Sequence, residues 1–456
     1  MHKIVAIAWV TVRGAIRSRV VLTLTGVLVA VVIGFPLMVR GDGTLAGHVQ
    51  ILIGFTLRAV GFILGLAAVG SGCGAFALEI QNRQIQLLVT KPVRPIEIWL
   101  GKALGLILLQ GVLLGCCGAG LYGMLRWTAQ AERWEAAEWA GLHDRILVSR
   151  AVAVPFVLDA PGQAREIYER EVVTDPMLAQ ADRMDAMRAI LRQIEAQSFS
   201  IGPGAERTWP VRLPFLSDTE CPLMLQFRFA KSIPDIETVS GVWRIRAPGS
   251  SVSHEQRGEW RPQVLNRIWI PADVVQGGKD LEISFFNQDP VAGLLFDPHR
   301  GVEVQMQRGT FEMNLLRALG GMFFRLILLT AVGLAAGTLF SLPVAGLCSF
   351  CLVLLLQLGD YVTGMAAQHR YFGEGSSQDS AATVAADRSL RLMYRTLDTV
   401  IRPLRGLDAV EAVASGRRIS WGQTGSAFAI QVLLYGGILA WLSAAGLRRR
   451  ELGAIV

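Results

Sequence analysis

Charge is scarce in this chain: 18% of its 456 residues are Asp, Glu, Lys or Arg, while 52% are hydrophobic. A soluble protein of this length rarely carries so little charge, and a mean hydropathy of +0.41 points the same way. The chain also lacks a GxxxxGK[ST] phosphate loop, because Ile96 stands where the glycine upstream of Gly101-Lys102 would have to be. It has no recognisable nucleotide cradle of its own. No HExxH pair, zinc-type Cys/His cluster or GxSxG elbow occurs, and the six His are scattered. Metal-assisted hydrolysis and serine-nucleophile chemistry therefore have no motif to rest on. Carboxylates such as Glu255 and Glu259 occur in the polar middle of the chain, where a solvated face accounts for them better than a catalytic pair. No catalytic residue, metal ligand or cofactor is expected, and the chain reads as a non-enzyme.

Cysteine is sparse as well. Five of the six Cys (Cys73, Cys116, Cys117, Cys348 and Cys351) lie in apolar runs, and only Cys221 sits in the polar middle. That is neither a disulfide framework nor a metal spacing. Cys348 and Cys351 have CxxC spacing, but Ser-Phe lies between them inside a hydrophobic run, which favours packing over redox chemistry. The net charge of +7 could suggest a nucleic-acid partner. In a chain this apolar it is read instead as the lysines and arginines that hold loops in the cytoplasm.

What the chain does have is apolar length. Roughly 20 apolar residues span about 30 Å of hydrocarbon, and six stretches qualify, at about 20–39, 49–77, 103–125, 318–340, 343–364 and 425–446. The first is too long for a signal-peptide core and no A-x-A site follows it, so it is expected to stay as a span. Residues 1–19 hold Lys3, Arg13, Arg17 and Arg19 and no acid, with Ile4, Ile7 and Ala8 on another side of a helical wheel. They read either as an amphipathic helix on the inner membrane surface or as a basic flank to the first span. A cytoplasmic N-terminus puts the loop 79–102 and the Arg448–Arg450 triplet inside too, as the positive-inside rule asks. The arginine-rich segment 366–422 falls outside and fits the rule less well. A helix is expected there over about 384–400, ending before Pro403.

The polar block 126–316 is expected outside the membrane. Its first part is helical by spacing, with Met184, Met187, Ile190, Leu191 and Ile194 on one face. From about 208 it alternates: Leu223, Leu225, Phe227 and Phe229; Trp243 and Ile245; Ile268 and Ile270; Leu281, Ile283 and Phe285; Val302, Val304 and Met306. Turn signals separate these runs, which predicts an antiparallel β-sandwich or jelly roll. The fold class expected is therefore an α-helical polytopic membrane protein of six spans with an inserted extracytoplasmic α+β domain. Its parts are 1–125, 126–316 (β from about 205 to 311) and 317–456. Trp209, Trp243, Trp260 and Trp269 suit either a sugar platform or a core.

Between the second and third spans runs EIQNRQIQLLVTKPVRPIEIWLGK. Pro92 and Pro95 interrupt any continuous helix there, and the basic groups would face the cytoplasm. Glu79, the pair Leu87-Leu88, Lys91-Pro92, Arg94 and Gly101-Lys102 together resemble the membrane permeases of ATP-binding cassette (ABC) transporters of the type-2 exporter class. The six spans, the basic N-terminal helix with Arg13 and Arg17, Ser341 near the end of the fourth span, and Arg449, Arg450 and Glu451 after the last agree with that layout. The resemblance covers roughly half the chain. It departs in two places: Arg83-Gln84 stands where Gly-Thr is often found, and the 126–316 block is absent from compact members, which leaves the substrate open.

The resemblance implies that Glu79, Arg83, Leu87, Leu88, Lys91, Pro92, Arg94, Gly101 and Lys102 couple the spans to a separate ATPase subunit. It also implies a homodimer or heterodimer with a second permease, in contact with membrane lipid and with no nucleic acid. Export from a multi-pass inner-membrane location with both termini cytoplasmic would follow. Taken by the residues alone, the same loop would simply fix topology. Arg58, Arg325 and Asp360 fall within spans and would form a polar cluster near the outer exit, or the arginines would snorkel to headgroups. A membrane-anchored extracytoplasmic binding or assembly protein is the alternative function. An ion-driven carrier is weakened by the lack of acids deep in the spans.

Overall fold

A computed structural model of the chain describes residues 2–449 apart from 18, 35–44, 82–93, 131–146, 174–182, 216–222, 234–236, 251, 276–277, 299, 368–380 and 406–408. The chain divides into two compact units, Met1–Leu147 with Thr310–Val456, and Val148–Gly309. The polar block read from the sequence, 126–316, surrounds the second.

In chain order the helical unit begins with α1 (His2–Arg17), α2 (Arg19–Val29, running on as a π-helix over Ala30–Gly34), α3 (Leu45–Gln81) and α4 (Pro95–Gln130). The second unit holds β1 (Val148–Ala153), α5 (Ala160–Glu171), α6 (Arg183–Ser198), β2 (Ser200–Ile201), β3 (Glu206–Arg212), β4 (Leu223–Phe227), β5 (Phe229–Lys231), β6 (Val239–Arg246), β7 (Ser253–Trp260), β8 (Asn266–Ile270), β9 (Asp280–Asn287), β10 (Leu294–Phe296) and β11 (Val302–Thr310). The helical unit resumes with α7 (Phe311–Leu339), α8 (Leu342–Gln357), α9 (Gly359–Ala367), α10 (Ala381–Arg405), α11 (Ala409–Ala414), α12 (Trp421–Ala427), a π-helix (Phe428–Tyr435) and α13 (Gly436–Arg449).

Among the described residues four helices are long and apolar enough to cross a membrane: Gly47–Glu79, Pro95–Trp127, Phe311–Leu339 and Trp421–Leu447. The pair His2–Arg17 and Val21–Gly34, bent by 67°, makes a fifth if counted as one span. The chain thus has the makeup of a membrane protein. The single span expected at 343–364 is instead two helices. The first, α8, has 16 residues, short of the ~20 that cross a bilayer, and the break falls at Leu358 (φ −82°, ψ 6°). The helix expected over 384–400 extends to Arg405 and takes in Pro403, in its last turn.

Helices α3 and α7 cross closely, and small residues set the crossing. A Cβ on Gly333 would lie 2.5 Å from the Val69 carbonyl oxygen, one on Gly337 2.5 Å from that of Cys73, and one on Gly72 2.9 Å from the Leu334 nitrogen. Gly333 and Gly337, one turn apart, let two backbones approach where any side chain would hold them apart. Other glycines of α3 and α4 also meet α7: Gly61 and Gly65 meet Met322 and Leu329, while Gly111 and Gly118 meet Phe323 and Leu319. Gly115 has no such neighbour within 4 Å. Among the described residues all the cysteines are free; Cys73 is buried, 3.5 Å from the Ser349 hydroxyl, whereas Cys348 and Cys351, expected to pack, are exposed.

The last helix is tied to the start of α7 by a buried polar knot. Asn314 is wholly buried; its Nδ2 donates to the Arg417 carbonyl at 2.7 Å and its Oδ1 accepts the Ile419 amide at 2.9 Å. A single side chain thus satisfies two backbone groups that could find no water there. Arg317 Nη1 donates to the Ile419 carbonyl and its guanidinium lies 4.8 Å from the Trp421 ring centre. Ser420 then opens α12 with a reciprocal cap to Gln423. Within the π-helical stretch, Gln431 is buried and its Nε2 donates to the Leu404 carbonyl, near the end of α10.

In the second unit period-2 alternation does what the sequence predicts. The sheets are antiparallel and run β1-β11-β4-β8, β3-β9-β6-β7 and β2-β10-β5. Leu225 faces Ile268 in register, and Ile245 faces Ile283. Leu223, Leu225, Phe227, Trp243, Ile245, Ile270, Ile283, Phe285, Val302 and Val304 all enter one core. Its centre is aromatic, with Trp243 4.6 Å from Phe227 and 4.7 Å from Phe285, ring centre to ring centre. The two helices pack on each other through Ala160, Ala164, Ile190 and Ile194. Trp209 and Trp243 are core, Trp260 packs against it, and Trp269 is 48% exposed with the Arg150 guanidinium over its ring at 5.8 Å.

One carboxylate of this unit makes it pH-sensitive. Asp289 Oδ1 accepts the amides of Val291 and Ala292 at 2.9 and 2.8 Å, and these bonds, Ala292's first, hold its carboxyl below the ordinary value. A lowered folded-state pKa gives stability that is present above the unfolded value of ~3.9 and fades as pH falls through the folded one. Acid unfolding followed by near-UV circular dichroism should therefore begin at higher pH in wild type than in Asp289→Asn, whose amide oxygen keeps both bonds without titrating. Superimposable acid limbs would refute this.

Candidate functional site: the base of the loop between the second and third spanning helices

The site is built from the end of α3 and the start of α4. Pro95 begins α4, where its missing N–H costs no bond. Arg94, exposed, caps it: the amides of Glu97 and Ile98 donate to its carbonyl, and its own N–H donates to Glu97 Oε2 at 2.9 Å. The third span therefore starts eight residues before 103, the expected first residue, and Gly101 and Lys102 lie inside the helix.

Lys102 is buried. Its Nζ stands 2.5 Å from Glu79 Oε1, with the two side chains 4% and 30% exposed. It also donates to the Ala75 carbonyl at 2.6 Å and sits 4.8 Å from the centre of the Phe76 ring. The last turn of α3 thus offers the ammonium a carboxylate, a carbonyl and a ring face, which is the environment a buried lysine needs. Glu79 Oε2 is buried too and has no hydrogen-bond partner among the described residues. Around the pair Phe76, Ile98, Trp99, Ala103, Leu106, Ala331, Leu334 and Leu447 form a separate core drawn from α3, α4, α7 and α13.

Gly101 has a different task from its neighbour. A Cβ there would fall 2.7 Å from Ile7 of α1, and one on Gly105 2.6 Å from the Ala8 carbonyl. The two glycines, one turn apart, form the groove in which α1 lies. Ile4, Ile7 and Ala8, which the helical wheel sets apart from the basic groups, face α4 in that groove. Lys3, Arg13 and Arg17 are exposed, and so are Val5, Trp9 and Ile16.

Of the residues singled out from the sequence, Glu79, Gly101 and Lys102 come together and Arg94 caps the adjoining helix. Arg83, Leu87, Leu88, Lys91 and Pro92 lie outside the described residues. Arg58 is exposed on α3 and Arg325 is half-buried on α7; the side chain of Asp360, on α9, lies outside the described residues. Sequence reasoning missed Ala75, Phe76 and Gly105. The spacing Gly101-x-x-x-Gly105 was a usable signal for the last. Among the described residues no group of His, Cys, Asp and Glu is placed to hold a metal ion.

Among the described residues of the site, the titratable side chains Glu79 and Lys102 are engaged with each other. Mechanically it is a clamp: an ion pair, a carbonyl bond and a glycine groove fasten three helices at the base of one loop. Comparison with protein-family models, curated proteins and solved structures finds no match to this chain.

Proposed function

We propose that this chain is the membrane permease subunit of an ABC transporter of the type-2 exporter class. It exports a substrate using ATP hydrolysed by a separate subunit and carries no catalytic residue itself. The observation that supports this most is the buried Glu79–Lys102 pair at the base of the 82–93 loop. An ordinary topogenic loop needs positive charge in water. It does not need a lysine withdrawn from water and locked to the preceding helix, at the desolvation cost that entails. A loop that receives a mechanical input does need a stiff base, so that displacement passes to α3, α4 and α1 together instead of being absorbed as bending.

In this reading the bent pair α1–α2 and the broken pair α8–α9 supply the first and fifth of six passes. The β unit is a sandwich outside the inner membrane, and both termini are cytoplasmic. Half a pathway per chain calls for a second permease, identical or not. Alternating exposure would be a bistable rearrangement driven by closure of the ATPase.

The test is affinity purification of the tagged chain from its own cells in mild detergent. An ATPase bearing a phosphate loop is expected in the eluate, and is expected to be lost with Lys91→Glu or Pro92→Ala while the chain itself remains folded. Labelling of a cysteine at position 91 by a membrane-impermeant maleimide in intact cells would overturn the proposal. The alternative, a membrane-anchored binding or assembly protein, predicts no such ATPase.

A further inference from the structure

The β unit contains a cavity of about 560 Å³ that the transport reading does not use. Arg228, Ala230, Gln263, Leu295, Asp297 and Pro298 are among the residues that line it. Its volume is that of a small-molecule pocket.

Three features give it a chemistry. The first is Arg228, at the junction of β4 and β5, whose guanidinium has no hydrogen-bond or ion-pair partner among the described residues. Asp297 lines the same cavity and makes no ion pair with Arg228; its Oδ1 accepts the Arg300 amide at 2.9 Å. The second is Gln263, in the turn after Pro262 that joins β7 to β8. It sits at φ 59°, a left-handed setting in which glycine or asparagine is usual. Its amide donates to the Phe229 carbonyl at 2.8 Å, which fixes the turn against the cavity wall. A side chain kept where the backbone prefers none is a mark of a site. The third is the character of the walls. Leu295 and Ala230 are exposed aliphatic surface, whereas Phe229 and Phe296 are buried beneath them. Among the described residues the phenylalanines that line the cavity, Phe229 and Phe296, are nearly fully buried, which disfavours a stacked sugar ring.

We propose that this cavity binds a carboxylate carried on an aliphatic body, with Arg228 gripping the carboxylate, the side-chain amide of Gln263 supporting it, and Leu295 and Ala230 holding the aliphatic part. Guanidinium is the side chain best shaped for a planar two-oxygen anion. Such a group occurs both at the C-terminus of a peptide and on a short acyl chain. The proposal stands independently of the transport reading.

The test uses the full chain in nanodiscs and saturation-transfer NMR with N-acetyl-leucine, N-acetyl-leucinamide and octanoate. At least one carboxylate should bind, and the uncharged amide should bind roughly tenfold more weakly or not at all. Binding of N-acetyl-leucine assigns the site to peptide ends, and binding of octanoate alone assigns it to acyl chains. Arg228→Gln should weaken the bound carboxylate roughly tenfold. Gln263→Gly should weaken it about threefold while leaving the thermal midpoint unchanged or raised, since it relieves the left-handed setting. Silence from both carboxylates at millimolar concentration, equal binding of acid and amide, or an Arg228→Gln variant that binds as wild type would each overturn the proposal.

Discussion

Lys102→Met is expected to lower the thermal unfolding midpoint of the purified chain more than any other single change in the helical unit that leaves the backbone free of clashes. Methionine fills much the same volume, so packing is largely kept, but Glu79 is left as a partly buried carboxylate with no cation. Removing one partner of a buried pair costs about 3–5 kcal/mol, because the other charge is stranded. Glu79 retains some contact with water, so the lower end of that range applies. A loss of that size moves the midpoint by about 3 °C in a protein of this length. The double variant Lys102→Met with Glu79→Leu should recover most of the loss, because two apolar groups can replace a buried pair at little net cost. Equal midpoints for wild type and Lys102→Met, or a double variant worse than the single, would show that the pair is not held as described. Under the permease proposal the double variant makes a second distinction: it should be stable and yet uncoupled.

Gly333→Ala should produce the other large effect. A single methyl is the smallest side chain available, and here it would lie 2.5 Å from the Val69 carbonyl oxygen and 3.1 Å from the Gly72 Cα. Those atoms are backbone and cannot turn aside. The crossing of α3 and α7 must open, at a cost of about 1–3 kcal/mol or more for overpacking. Gly320 is the control, since it lies on the same helix with nothing within 4 Å of its missing Cβ. Gly320→Ala should stabilise by up to about 1 kcal/mol through helix propensity alone. Opposite signs in thermal melts are the expected result; two alanines that behave alike would contradict the close crossing.

Much of the fold was legible because two periodicities are hard to disguise. Strand residues such as Trp243 and Ile245 alternate cleanly with the exposed Arg244 and Arg246, and a one-residue slip would turn each of them to the wrong face. Apolar runs of spanning length announced α3, α4 and α7 just as plainly. The sequence reading failed where composition is uniform or where charge misleads. Nothing in the apolar run around Leu358 distinguishes a break from a continuous span, because both sides are equally greasy. The early start of α4 was missed because Glu97 and Lys102 read as loop, yet one caps the helix and the other is buried. Pairing is a tertiary fact: Lys102 is tolerable only because the last turn of α3 brings Ala75, Phe76 and Glu79 to it. The identity of Glu79, Gly101 and Lys102 as a set came from resemblance. The reason for each residue came from distances.

The wide turns in the last spanning helix have a further consequence. Each residue turns an α-helix by about 100°, and a π-turn stores one residue more than an α-turn. The stretch Phe428–Tyr435 therefore joins α12 and α13 as a swivel, and Gln431 is latched from within it to the carbonyl of Leu404. Under the permease proposal, a torque entering at Leu447, in the core that also holds Phe76, would reach Leu404 as rotation about the helix axis. The rod behaves less like a pushed lever than like a key.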